Sequence, residues 1–215
     1  MAVPQVAVVD YGSGNLRSVA KALARSGVDP RVTNDPADVR RADAVVLPGV
    51  GAFADAAASL AAKGLDGAVR FAIEDGRPYL GICLGLQLLF EESDEHGRTA
   101  GLGGLPGRVA RFPEQGPAGE RLRVPHIGWN EVRFAGGHPV LAELPEADYF
   151  YFVHAYRALP GRDSDVVGRA EYGGAFAAAV ARDNVLAVQF HPEKSQAAGK
   201  RLLDSFAAWA ARCGA

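Results

Sequence analysis

A chain of 215 residues, 48% hydrophobic and 22% charged, has the length and apolar content for one domain, expected to span residues 1–215, and is too apolar to stay disordered. A formal net charge of -2 without an extended Lys/Arg run excludes the electrostatic footprint of a nucleic-acid binder. The two cysteines, Cys83 and Cys213, lie far apart without CxxC spacing, so no metal site and no disulfide framework is expected and a cytoplasmic setting follows. The start, Met1-Ala2-Val3-Pro4-Gln5, lacks a basic segment followed by an apolar one, and no apolar run approaches the ~20 residues of a membrane span; no membrane role is expected.

In chain order, Val6-Ala7-Val8-Val9 reads as a strand, Leu16 to Ala24 as a helix, Ala44 to Leu47 as a strand, and the Ala-rich run Ala54 to Ala62 as a helix. Pro78 to Ile82 reads as a strand that ends at Cys83, and a helical pattern follows from Leu84 to Glu92. Positions 97–119 are rich in Gly, Pro and Arg and read as loops with short strands. Strands are then expected at Tyr149 to Val153, Ala175 to Ala181 and Val185 to Phe190, with Asp183-Asn184 as a hairpin turn, before a closing helix from about Ser195 to Arg212. Strands alternating with helices point to an α/β fold with a mostly parallel central sheet flanked by helices, extended by antiparallel strands.

Gly81-Ile82-Cys83-Leu84-Gly85 falls where a strand becomes a helix, the pattern of a nucleophile elbow with Cys in place of Ser. A helix N-terminus at that place stabilises negative charge and offers the Leu84 N–H to an oxyanion. Taken alone, a Cys at a strand end reads equally as a small buried hydrophobe. A base is supplied by Gln189-Phe190-His191-Pro192-Glu193, because Pro192 biases His191 towards an extended conformation in which residues two apart share a side. Glu193 would then orient the imidazole, and His191 would take the thiol proton and return it to the leaving group.

Pro48-Gly49-Val50-Gly51 follows the strand ending at Leu47, and its glycines permit a peptide flip that makes the Val50 N–H a second oxyanion donor. The loops after Leu47 and Ile82 both face the crevice where α/β sheets place ligands. Gly12-Ser13-Gly14 after the first strand invites a dinucleotide reading, but the third glycine of that fingerprint would fall at Arg17.

These residues carry a resemblance. The chain resembles the class I glutamine amidotransferases, whose fold is flavodoxin-like, and among them the glutaminase subunits of imidazole glycerol phosphate synthases of histidine biosynthesis. The carrying segments are Asp10 to Ser18, Pro48 to Phe53, Gly81 to Gln87, His126 to Asn130, Tyr151 to His154 and Gln189 to Ser195. The resemblance implies that Cys83 attacks the side-chain amide of glutamine, that ammonia leaves, and that water hydrolyses a glutamyl thioester. By matching positions it implies that Gly51, Gln87 and Glu95 hold the glutamine, although Glu95 also belongs to an acidic run that reads as a solvated face. It further implies a separate (β/α)₈-barrel cyclase subunit as partner, contacted near Asn15, Trp129, Tyr151 and Lys194, and no cofactor. Two rivals stay open: the glutaminase of another class I enzyme, serving pyridoxal phosphate or anthranilate synthesis, and a non-catalytic relative that keeps the fold as a regulatory module.

Overall fold

The computed structural model describes residues 3–213, so Met1 and Ala2, where no leader was expected, lie outside the described residues. The first half runs β1 (Gln5–Val9), α1 (Leu16–Ala24), β2 (Asp29–Thr33), α2 (Pro36–Arg41), β3 (Ala44–Gly49), α3 (Phe53–Ala62), α4 (Leu65–Glu74), β4 (Tyr79–Cys83), α5 (Leu84–Gln87), β5 (Phe90–Ser93), β6 (Thr99–Ala100) and β7 (Leu105–Arg111). The second half runs β8 (His126–Phe134), β9 (Ala147–His154), β10 (Tyr156–Pro160), β11 (Val166–Glu171), β12 (Ala175–Arg182), β13 (Val185–Val188) and α6 (Gln196–Cys213).

A nine-stranded sheet in the order β2-β1-β3-β4-β13-β12-β11-β8-β9 forms the centre. The run from β2 to β13 is parallel, and β12, β11, β8 and β9 continue it antiparallel. Both faces are covered, and the strand sequences say why. Along β1, Val6 and Val8 pack into one core while Ala7 and Val9 pack into the other; Ala44 and Val46 divide from Val45 and Leu47 in the same way along β3. Alternate side chains of a strand point to opposite faces, so continuous apolar runs belong in the middle of three layers. Helices α1 and α6 cover the first face through Val19, Leu23, Leu202, Leu203 and Phe206. Helices α3 and α4 cover the second through Phe53, Leu60, Leu65 and Val69.

Two features differ from the sequence expectation. The helix that starts at Leu84 stops at Gln87, and Phe90–Ser93 is a strand. Every residue from Leu84 to Phe90 is buried, so the apolar pattern favours no single face. The carbonyls of Leu88 and Leu89 accept from Leu102 and Leu105 instead of continuing the helix. A second, four-stranded sheet in the order β10-β7-β5-β6 gathers β5, the short strands of the 97–119 region and β10. The hairpin turn at Asp183-Asn184 stands as expected, with Arg182 paired to Val185 and Asp183 in the left-handed region at φ 50.

Candidate active site

Strands β3 and β4 are adjacent and parallel, and their register pairs Gly49 with Cys83. The Pro-Gly-Val-Gly loop therefore lies beside the elbow, a relationship that the sequence left open. Cys83 itself holds φ 55 and ψ -104, an uncommon backbone for a non-glycine residue, at the junction of β4 and α5. The flanking glycine is steric: a Cβ on Gly85 would stand 1.8 Å from the Leu47 carbonyl oxygen, so any other residue would push the elbow off β3. The Leu84 amide belongs to the first turn of α5, whose N–H groups have no acceptor within the helix.

The segment after β13 brings His191 to the elbow. A single 3-10 turn over Pro192–Lys194 puts Glu193 against the imidazole, with His191 Nδ1 and Glu193 Oε1 2.9 Å apart and both side chains at most 2% exposed. Nε2 is buried without a hydrogen-bond partner of regular geometry. Burial alone would lower the imidazole pKa, but the neighbouring Cys83 thiol and the Glu193 carboxylate outweigh it and push it up to about 9. The same Glu193 oxygen accepts a 2.6 Å hydrogen bond from Asn15 Nδ2, so Asn15 orients the triad carboxylate from the opposite end of the chain.

One cavity of about 270 Å³ is lined by Cys83, Leu84, Val50, Gly51, Gln87 and Glu95, with Pro125 and the 153–156 segment as its far wall. The expected glutamine-holding residues thus share a cavity with Cys83. Glu95 is buried, and its Oε2 accepts the Phe53 amide at 2.7 Å. It stands apart from Glu92 and Asp94, which pair with Arg98 and Arg108 at the surface. Gln87 Nε2 donates to Tyr156 O at 3.1 Å and to Gln189 Oε1 at 3.2 Å.

The Val50 amide points elsewhere: it donates to Ser13 Oγ at 3.0 Å. That N–H belongs to the peptide joining Gly49 to Val50, and on its other side Gly51 sits at φ 104, a backbone open to glycine. The remaining expected residues lie just outside the cavity. Trp129 on β8 pairs with Tyr151 on β9, their rings 6.3 Å apart edge to face, and Lys194 Nζ stands 5.8 Å from the Tyr151 ring. Trp129 is 47% exposed and Ile127 60%, so this end of the hairpin is a surface patch and not core.

Several participants carried no assignment in the sequence. Gln189, fully buried, directs Nε2 to the Cys83 sulfur at 3.7 Å. Its signal was present, since it precedes His191 by two in an extended segment and so shares its side. His154 lines the cavity and continues into a buried pair, His154 Nε2 to His126 Nδ1 at 3.1 Å, with His154 Nδ1 2.8 Å from the Tyr156 carbonyl. Burial holds their pKa values down, to about 3 for His154 and about 4 for His126, so both are neutral. Among the described residues no group of three or more His, Cys, Asp or Glu could hold a metal, and no helix is long and apolar enough to cross a membrane.

Comparison with known proteins places this geometry. The family model described as Glutamine amidotransferase class-I matches residues 7–209. The chain belongs to the class-I glutamine amidotransferases. Its branch within that class is set by near full-length relatives, both "Imidazole glycerol phosphate synthase subunit HisH". The protein of Methylococcus capsulatus is 53% identical over 95% of this chain and 96% of its own, and that of Syntrophotalea carbinolica 51% identical over 94% and 98%. A solved structure titled a glutamine amidotransferase shares the fold at TM-score 0.74 and 22% identity, covering 96% of this chain and 98% of that one.

Proposed function

We infer that the chain is the glutaminase subunit of an imidazole glycerol phosphate synthase, hydrolysing glutamine to glutamate and ammonia for histidine biosynthesis. The observation that carries the reading is the convergence of the strained Cys83 elbow, the Glu193-oriented His191 and the Gly51, Gln87 and Glu95 lining on one cavity. Cys83 gives its thiol proton to His191 as Sγ adds to the amide carbon, and the oxyanion is held by the Leu84 N–H and, after a turn of its peptide, the Val50 N–H. His191 gives its proton to the departing nitrogen, so ammonia leaves and a glutamyl thioester remains. His191 then draws a proton from water, whose oxygen attacks the thioester carbon; glutamate departs and the thiol is restored. Glu95 faces the α-ammonium of glutamine, and Gln87 and Gly51 complete the pocket.

The partner is a separate cyclase subunit that receives the ammonia. The exposed patch of Ile127 and Trp129, with the half-buried Tyr151 against Trp129 and Lys194 at its rim, supports a docking face beside the cavity. A free, buried nucleophilic Cys83 suits a reducing cytoplasm.

The test is glutamate release by the purified chain, alone and with a cyclase subunit and its nucleotide substrate. Strong stimulation is expected, and Cys83→Ala should abolish turnover while leaving folding and complex formation intact. Turnover retained in that variant would overturn the assigned nucleophile. Stimulation only by the synthase subunit of another pathway would keep the triad and move the protein to that pathway.

A further inference from the structure

A serine stands at the edge of the triad. Ser195 opens α6, where a serine ordinarily turns its oxygen to the exposed amides of the first helical turn. Here both hydrogen bonds of Oγ go elsewhere. Oγ donates to the His191 carbonyl at 2.7 Å and accepts the Tyr151 amide at 3.0 Å, and the residue is 1% exposed. A third bond closes the figure, since the His191 amide donates to the Tyr151 carbonyl at 2.9 Å. The two main-chain groups of Tyr151 thus hold the two main-chain groups of His191, one directly and one through Ser195.

That closed set of bonds has a direction. Tyr151 lies on β9, the outermost strand of the nine-stranded sheet, and its half-buried ring packs edge to face against the exposed Trp129. His191 lies after the end of β13, four strands away in sheet order. The catalytic imidazole is therefore located against the patch strand and not only by its own strand. The Lys194 amide also bonds the His191 carbonyl, at 3.0 Å, but Lys194 belongs to the same turn and fixes only local shape.

We propose that Ser195 is a positioning residue that ties the His191 main chain to the strand carrying Tyr151, so that the docking face sets where the imidazole stands relative to Cys83. The proposal rests on the glutaminase reading and adds to it a residue with no chemical step of its own. Small displacements of a base from its nucleophile cost rate steeply, on the order of 10²-fold for about 1 Å. Substrate affinity is untouched by this link, because Ser195 does not line the glutamine cavity.

The experiment compares the full chain with Ser195→Ala and Ser195→Thr, each alone and in complex with the cyclase subunit. Expected is a kcat for glutamine lowered on the order of 10- to 100-fold in Ser195→Ala with KM within about twofold, and recovery of most of the loss in Ser195→Thr, which keeps the hydroxyl. In ¹³C-labelled protein the His191 imidazole resonances should move in Ser195→Ala while those of His138 stay. Unchanged kcat and unchanged His191 resonances in a folded Ser195→Ala would overturn the proposal. So would a rise in KM that accounts for the whole loss. An inactive wild-type chain with an unmodified Cys83 would instead overturn the glutaminase reading, which keeps the two failures apart.

Discussion

The Val50 amide is held by Ser13 Oγ at 3.0 Å, although Val50 stands in the loop whose register pairs Gly49 with Cys83. The peptide best placed to serve an oxyanion is thus turned to the loop after β1. That bond ties the loop after β3 to the loop after β1.

Ser13→Ala removes the acceptor and leaves the Val50 peptide without its tie. A single neutral hydrogen bond contributes about 0.5–1.5 kcal/mol, so glutamine hydrolysis by the isolated chain should rise roughly two- to tenfold. Stimulation by the partner should shrink by a similar factor, since the stimulated rate is the common endpoint. Steady-state glutamate release checks both numbers, and a basal rate that falls would count against the tie.

Asn15 separates side-chain and main-chain effects cleanly. It sits in the left-handed region at φ 73, which glycine adopts without cost, and its amide donates to Glu193 Oε1 at 2.6 Å. Asn15→Gly should therefore keep the start of α1 while lowering kcat by about 10- to 100-fold, the scale of a hydrogen bond to a charged group. Kinetics with a parallel thermal melt would distinguish this from general loosening, in which Tm falls and the kinetic change follows it.

Stability should have a maximum set by histidines. His191 has its pKa raised from 6.5 to about 9, so the folded chain keeps a proton that the unfolded chain releases. That contribution is complete below about pH 6.5 and is lost as pH rises towards 9. His126 and His154 act in reverse, with values lowered to about 4 and about 3, so the unfolded chain takes up protons first on acidification. Their contribution is complete above about pH 6.5 and is lost as pH falls towards 4. Calorimetry from about pH 4.5 to 9.5 should find the highest Tm near 6.5, with the alkaline decline weakened in Glu193→Gln.

Gly199→Ala tests packing against propensity with opposite signs. In a helix interior alanine is favoured over glycine by about 1 kcal/mol. A Cβ at Gly199 would nevertheless stand 1.8 Å from the Pro192 carbonyl oxygen, so α6 must back away from the His191–Glu193 turn. Overpacking of this kind costs about 1–3 kcal/mol, and the variant should be both less stable and less active. A denaturant titration showing stabilisation would reject the contact.

Local motifs were legible in the sequence and distant meetings were not. The elbow could be read because Gly81 to Gly85 lie within one turn, and Glu193 could be placed against His191 because Pro192 fixes the conformation between them. The extent of α1 follows from its own periodicity. Ser13 and Ser195 escaped, and Asn15 was expected only near the partner contact, because the telling partners, Val50, Tyr151 and Glu193, are brought near only by folding; nothing in Asp10 to Ser18 announces a bond to position 193. The helix expected to run on from Leu84 failed for a related reason: a uniformly apolar stretch has no preferred face, and a neighbouring loop took its carbonyls. Trp129 reads as readily as core as it does as surface until its face of the β8–β9 hairpin proves to be open to solvent, leaving it 47% exposed.

The bond between Asn15 and Glu193 spans 178 positions, and the parallel strand that delivers His191 is made after the other strands of its sheet. During synthesis the cysteine emerges long before its base, at a time when β4 has one of its two sheet neighbours and no partner on the other side. A nascent chain therefore carries the thiol without the means to use it. On the glutaminase reading, hydrolysis of glutamine waits until the His191 segment has left the ribosome and closed against the first loop. Proteolytic loss of that segment would return the protein to the same silent state, whatever remained of its sheet.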